Sequence, residues 1–473
     1  MKIKKGQEIE LEVTDLAYGG KGIAKIDGFT VFVEQAIPED SVLARIVKKK
    51  KNYAEARIIS LLSPSPDRIE APCPYSGFCG GCKWQFFKYE KQLEYKQRHV
   101  REALKHIGGF EDVKVYPTRA SERIFEYRNK MEFSCSDRRW LLPDELGNES
   151  IDIGFALGLH VPGTFHKVLD IDKCLIYPAT GNDIVNTVRQ YMKKSGCPLY
   201  GLRSHKGFWR FLMVRHSVAL DQWLVNIVTS SKDLAVVAPL ADTLREKFSN
   251  VASVVNNVTA NIASVAVGEY EIHLAGEQSL KEKLGPYKFE ISANSFFQTN
   301  TRGAVALYNT VKEYAHLTGK DNVLDLYSGT GTIPIWLSDS AKQITGIEIV
   351  ESAIADAKEN CRRNNISNCN FIAGDIRHLI ADISRKPDVL IIDPPRTGMH
   401  PDVVKQVLEL APERIVYVSC NPATLARDLG LMKDKYRIIE VQPVDMFPHT
   451  YHIEAVAKLD RLVKSPSAAL RSP

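Results

Sequence analysis

Apolar and polar positions alternate from the start of the chain. Ile9, Leu11 and Val13 sit between charged residues, and the same two-residue period returns at Phe29, Val31 and Val33 and again at Val42, Ala44 and Ile46. That period belongs to strands with one face in a core. The connections "YGGKG" and "IDGF" carry the Gly and Asp that tight turns need. Residues 1–62 are therefore expected to form about five short strands closing into a small barrel of the OB type. "SPSPD" (63–67) reads as a linker. In 68–285 the pattern is mixed, with the helix-patterned stretch "KWQFFKYEKQLEYKQRHVREALKHI" ahead of the strand-like runs "RFLMVRHSVAL" and "WLVNIVTSS". This predicts a central α+β domain. From 286 to 460 strands and helices alternate, which implies a doubly wound, Rossmann-like α/β domain on a parallel sheet with right-handed crossovers. Its strands are expected at "NVLDLYSG", "QITGIEIV", "CNFIAGDI", "DVLIIDPP" and "RIVYVSC", with "RIIEVQPVDM" and "HIEAVAKL" as a closing pair. Residues 461–473 read as a frayed tail.

The chain has 473 residues, enough for two or three cores. A net charge of +5 permits a polyanionic partner without demanding one. "MKIKKGQEIELEV" has no apolar segment behind its basic residues, and no run approaches the length of a membrane span. The expectation is a cytoplasmic protein with no membrane association and no obligate protein partner. In a reducing compartment the nine cysteines are not a disulfide framework. Cys73, Cys79 and Cys82 fall within ten residues, a clustering that suggests metal ligation. Lys48 to Lys51 read either as a solvated charge run or as contacts to a nucleic-acid backbone. Trp84, Phe86, Phe87, Tyr89 and Tyr95, interleaved with basic residues, either bind RNA or pack beneath the cysteines.

Chemistry concentrates in the last third. "VLDLYSGTGTIPI" places Asp325 in the first strand and Gly329-Thr330-Gly331 after it, at the switch point where such sheets bind ligands. Pro334 occupies the third position of a dinucleotide fingerprint, which counts against a nicotinamide cofactor. Glu348 ends strand two, where a carboxylate can take both hydroxyls of a ribose, and Asp375 ends strand three, toward an adenine edge. This series resembles the S-adenosylmethionine-dependent methyltransferase fold. "VSCNPATLARDL" ends a strand on Cys420 and starts a helix near Pro422, a setting that presents a thiol and helps lower its pKa. Carbon 5 of a pyrimidine needs such a thiol: addition at carbon 6 makes carbon 5 nucleophilic enough to take a methyl group. A base must then remove the hydrogen at carbon 5. Glu454, a charge inside the apolar run "HIEAVAKL", is the candidate, with His452 as a supporter.

"SCNPATLARDL", "DMFPHTYHIE", "DPPRTG", "DLYSGTGTI" and "ANSFFQTN" together resemble the RNA uracil-5-methyltransferases. The resemblance implies Cys420 as nucleophile and Glu454 as base. It implies Gln298, Tyr327, Glu348 and Asp393 as contacts of S-adenosylmethionine, with Asp393 also orienting the uracil. "CPYSGFCGGCKWQ" followed by "DIDKCLIYP" is similar to the ribosomal branch, which implies a 4Fe–4S cluster on Cys73, Cys79, Cys82 and Cys174. On the thiolates alone, zinc competes. The first sixty residues resemble the TRAM domain, a small RNA-binding barrel. Together these features imply 23S rRNA as substrate, its uridine leaving the stack to reach Cys420; Phe296 and Phe297 are candidates to line the pocket. The alternatives are the same chemistry on the T-loop of tRNA, a non-catalytic RNA-binding protein, and an iron–sulfur electron carrier.

Overall fold

The computed structural model describes residues 3–262, 266, 268–383 and 386–462. Most of the expected tail, from 463 onward, lies outside the described residues. The chain divides into two compact units, Met1–Tyr95 with Ser121–Arg302 and Phe447–Tyr451, and Lys96–Ala120 with Gly303–Met446 and His452–Pro473.

In the first unit the strands Glu8–Leu16, Gly22–Ile26, Phe29–Glu34, Tyr53–Ser63 and Ser41–Lys49 close, in that order, into a barrel. The alternation predicted this. Leu11, Val13, Val31, Val33, Val42, Ala44, Ile46, Ala54 and Ala56 all point inward and are buried. The expected linker is tied down instead of loose: Ser65 is buried, and its backbone N–H donates to Asp40 Oδ1 (3.0 Å). Of the four lysines, Lys48 is paired with Glu55 (2.7 Å), whose carboxyl the hydrogen bonds from Lys21 and Lys48 hold down at about 2. Trp84, Phe86 and Phe87 are buried with Leu16 and Ile37, so their role is packing. The helix expected from Lys83 begins only at Tyr89 and runs to His106; before it, the N–H groups of Lys83 and Trp84 both donate to the carbonyl of His449.

A seven-stranded sheet completes this unit, ordered Tyr270–Gly276, Val251–Val258, Gln222–Thr229, Trp209–Ser217, Lys130–Ser136, Ala156–His160 and Val168–Asp170. The helices Ala179–Lys194 and Leu234–Lys247 bury Ile184, Val188, Leu240 and Leu244 in the same core as Leu212, Trp223 and Val225 from the sheet.

The second unit holds the predicted α/β domain. Its strands are β1 (Asn322–Leu326), β2 (Gln343–Glu348), β3 (Cys369–Ala373), β4 (Val389–Ile392), β5 (Arg414–Ser419), β6 (Tyr436–Val444) and β7 (Glu454–Arg461). Their order is β3-β2-β1-β4-β5-β7-β6. The first five run parallel; β7 inserts antiparallel to β5 and β6. The near-continuous apolar runs of β4 and β5 are what a sheet covered on both faces requires.

One ion pair inside this unit is fully buried: Lys96 Nζ donates to Asp445 Oδ1 at 2.6 Å. Asp445→Ala would leave the ammonium buried without that carboxylate and should cost about 3–5 kcal/mol. Urea unfolding of the variant checks this, and a loss below about 1 kcal/mol, the range of an exposed pair, would contradict it. Among the described residues, no helix is long and apolar enough to cross a membrane.

Candidate active site at the carboxyl edge of the second sheet

The parallel register decides what meets at the strand ends. Leu326 pairs with Ile392 and Ile392 with Tyr417, so the residues that follow, Tyr327, Asp393 and then Cys420, emerge on one edge. The β5–β7 ladder ends at Ser419 with Ala455, which places Cys420 beside Glu454. Open α/β sheets bind ligands at this edge.

The loop after β1 is built around its glycines. Gly331 has φ +76°, and a Cβ there would lie 2.8 Å from the Phe371 ring and 2.9 Å from Ala357. Tyr327 takes φ +66° without the freedom of glycine, backbone strain of the kind found at ligand sites. Glu348 accepts from the N–H of Gly329 and, with its other oxygen, from that of Val350, both at 3.0 Å. Asp325 is buried and neither of its oxygens has a hydrogen-bond partner. Its carboxyl is pushed well above the usual range by burial and then by the charges of Asp393 and Glu348. Burial also pushes Asp393 up to about 7. Three carboxylates around a glycine loop, one of them orphaned, fit a cationic ligand carrying hydroxyls, as S-adenosylmethionine does. Asp375 stands at the end of β3, as expected, and carries local partners. It caps the short helix Ile376–Leu379 and forms a bidentate pair with Arg377, so its carboxylate is already engaged.

Around Cys420 the local structure follows the motif. The helix Pro422–Met432 starts where predicted, capped by the Asn421 side chain, which accepts from Ala423 N–H (3.1 Å). Asn421 Nδ2 also donates to the carbonyl of Arg396 (3.1 Å), which joins the "SCNP" turn to the "DPPR" turn. Asp428, fully buried, accepts from Tyr417 Oη (2.6 Å) and from Met399 N–H (2.8 Å) and braces the same two turns. The thiol, however, is not activated at rest. Burial, then the neighbouring Glu454 and Asp393, raise Cys420 to about 11, against an opposing effect of Arg396. The helix start is outweighed because the thiolate would be buried and beside two carboxylates. Glu454 is buried and held well above its usual range by burial and by Asp393, again opposed by Arg396. Arg396 and Asp428 stood in quoted motifs without an assigned role; only their position beside the turn showed what they touch.

Gln298 and its neighbours lie in the first unit. The Gln298 carbonyl accepts from Asn129 Nδ2 (2.9 Å), Phe297 is buried against Phe289, and Phe296 is exposed. Phe297 is thus a core residue.

Among the described residues, no group of three or more His, Cys, Asp or Glu side chains stands in metal-binding geometry. Cys73, Cys79, Cys82 and Cys174 are nevertheless neighbours in the first unit: the charge of each of the first three acts on Cys174. Burial first, then this mutual repulsion, pushes Cys79 and Cys174 up to about 12 and Cys82 up to about 11. Gly81 N–H donates to Cys79 Sγ at 3.4 Å. Four recessed thiols that repel one another are a donor set suited to a thiophilic, multiply charged centre.

Comparison with known proteins adds the following. The family model described as tRNA (uracil-5-)-methyltransferase matches residues 240–462, and the TRAM domain model matches residues 2–59. An uncharacterized RNA methyltransferase of Chlorobaculum tepidum is 44% identical, with 98% of each chain covered. One from Porphyromonas gingivalis is 40% identical over 95% of this chain and 99% of its own. Among solved structures, Pyrococcus abyssi tRNA (uracil-54, C5)-methyltransferase in complex with S-adenosyl-L-homocysteine is similar at a TM-score of 0.75 and 29% identity, covering 95% of this chain and all of that one.

Proposed function

The chain belongs to the S-adenosylmethionine-dependent RNA uracil-5-methyltransferase family and carries a TRAM domain; from that premise we propose that it methylates carbon 5 of a uridine through a covalent adduct on Cys420. The observation that carries the proposal is the β5–β7 register, which sets Cys420 beside Glu454 at the edge where Asp393 and the glycine loop also end. A non-catalytic RNA-binding protein has no use for that pair.

Bound S-adenosylmethionine supplies an electrophilic methyl group on a sulfonium. Glu348 would take the ribose hydroxyls, Tyr327 would add a further contact to the cofactor, and Asp393 would serve both cofactor and uracil; the resemblance adds Gln298 as a cofactor contact. Cys420, as thiolate, adds to carbon 6 while the ring electrons move to the carbonyl at carbon 4. Carbon 5 then takes the methyl group, and the sulfonium leaves as a neutral thioether. The Glu454 carboxylate removes the proton from carbon 5, and the carbon–sulfur bond breaks to return the Cys420 thiolate.

Both groups must be ionised, and burial pushes the pKa of each up, the carboxyl well above its usual range. A raised pKa means that the active form becomes more abundant as pH increases. The single-turnover rate is therefore expected to rise between about pH 6 and pH 9, measured by transfer of a labelled methyl group. A profile flat across this range would contradict the assignment.

For the substrate, the comparisons favour tRNA over the ribosomal RNA expected from the TRAM domain and the cysteines. The family model is described for tRNA, and the Pyrococcus enzyme that acts on uracil 54 of tRNA is matched along its full length. A match that covers 95% of this chain takes in most of the barrel, so the barrel does not select rRNA. We assign a T-loop uridine of tRNA as the leading substrate and a 23S rRNA uridine as the second reading, which the resemblance of the cysteine segment supports. Nucleoside mass spectrometry on both RNAs, each lacking 5-methyluridine, decides between them. Methylation of neither would overturn the functional reading itself.

Cys73, Cys79, Cys82 and Cys174 would hold a 4Fe–4S cluster, whose chemistry there is charge neutralisation and bracing. The backbone supports a bracing role: Gly80 N–H donates to the carbonyl of His160 (2.9 Å) and Asp172 N–H to Tyr75 Oη (3.1 Å).

A further inference from the structure

The last two strands of the first unit's sheet carry, on the loops beyond them, a surface that the methyl-transfer site does not use. Three segments converge there: 137–140 after the strand Lys130–Ser136, 161–167 between the strands Ala156–His160 and Val168–Asp170, and 201–207 before the strand Trp209–Ser217. Backbone pairing holds them together. Trp140 N–H donates to the Val168 carbonyl (2.8 Å), and Arg139 bridges to Val168.

The side chains on these loops include cations and exposed aromatics, with one carboxylate, Asp137, packed beside Gly201. Lys167 Nζ lies 3.7 Å from the centre of the Trp140 ring. The Arg203 guanidinium donates to His166 Nε2 at 2.7 Å, and the Phe165 ring meets that imidazole edge to face. Phe165 is 64% exposed and Trp140 40%, although both rings are large and apolar. Neither is hidden as a core residue would be. The charged groups acting on His166 are Arg203, Lys167 and Arg138, all of one sign. Arg139 is paired with Glu145, whereas Arg138, Lys167 and Arg203 have no carboxylate partner among the described residues.

Exposed π-faces set among unneutralised cations fit one kind of partner: a single-stranded stretch of nucleic acid, its bases stacking on the rings and its phosphates held by the cations. A folded protein surface would leave the cations uncompensated, and a duplex offers no free base faces. The geometry points to a second RNA-binding surface on Arg138, Trp140, Phe165, Lys167 and Arg203, which grips unpaired nucleotides flanking the target uridine. This rests on the reading of the chain as an RNA-modifying enzyme and extends it to how the substrate is held.

The test is fluorescence anisotropy of a labelled short oligouridylate and of a matched RNA duplex with the full-length protein, over a range of salt. For Trp140→Ala/Phe165→Ala, affinity for the single strand should fall at least about 10-fold, with little change for the duplex. For Arg138→Gln/Lys167→Gln/Arg203→Gln, the slope of log affinity against log salt should fall by about 2, near 0.7 for each lost contact. Trp140→Phe and Lys167→Arg keep a ring and a charge and should bind close to the parent, which separates loss of the surface from loss of folding. Unchanged affinity and salt slope in both multiple variants would overturn the proposal. The readout needs no methyl transfer, so the two readings fail separately: an enzyme that methylates RNA normally in these variants, with binding intact, sinks only this surface. Loss of oligouridylate binding in a protein that methylates no RNA sinks only the enzymatic reading.

Discussion

Cys420→Ala is expected to abolish methyl transfer, a fall on the order of 10⁴-fold or more, as when a nucleophile is removed from a concerted site. None of the charged groups that act on the thiol can replace it. The groups beside it are Glu454, Asp393 and Arg396, two oxygen acids and a cation, and none adds to carbon 6 of a uracil as a thiolate does. The cofactor region should remain intact, because Asp325, Glu348 and Gly329 to Gly331 lie on β1, β2 and the loop between them. Binding of S-adenosylhomocysteine, followed by calorimetry, should therefore match the parent protein. Residual transfer within 10-fold of the parent would remove Cys420 from the mechanism.

Glu454→Gln should fail at a different step, and the difference is diagnostic. Addition of Cys420 and methyl transfer both precede proton removal. The amide keeps the size of the side chain but cannot act as the base. Turnover should fall by roughly 10²–10⁴-fold, while a methylated RNA–protein adduct accumulates and survives a denaturing gel. The amide also lacks the charge that, when Glu454 is ionised, is the largest influence after burial raising the Cys420 thiol. The adduct should therefore form at lower pH than the corresponding step in the parent. Absence of any adduct, with the cofactor still bound, would argue that Glu454 acts before addition or not at all.

How much of this was readable before folding depends on the range of the interaction. The barrel was legible because its strands pair with near neighbours and each declares its inner face by strict alternation, as Val31 and Val33 do. The parallel strands were legible for the opposite reason: buried on both sides, they read as continuous apolar runs ended by glycine, proline or a cap. Asn421-Pro422 announced a helix start, and the helix is there. The pattern misled where a local signal met a tertiary partner. The basic, aromatic stretch from Lys83 reads as helix throughout, yet Trp84, Phe86 and Phe87 are drawn into a cluster with Leu16 and Ile37.

By itself, then, the sequence determined the order of elements and nominated a ligand loop, a thiol and a carboxylate, because these depend on residue type and short spacing. Only the tertiary structure decided that Cys420 and Glu454 stand side by side, since that depends on β7 inserting antiparallel between β5 and β6. It alone also decided which way their pKa values move. A pKa is set by what surrounds a group, and around Cys420 burial, followed by the carboxylates of Glu454 on β7 and Asp393 at the β4 end, outweighs the helix start on which the local reading of that thiol relied.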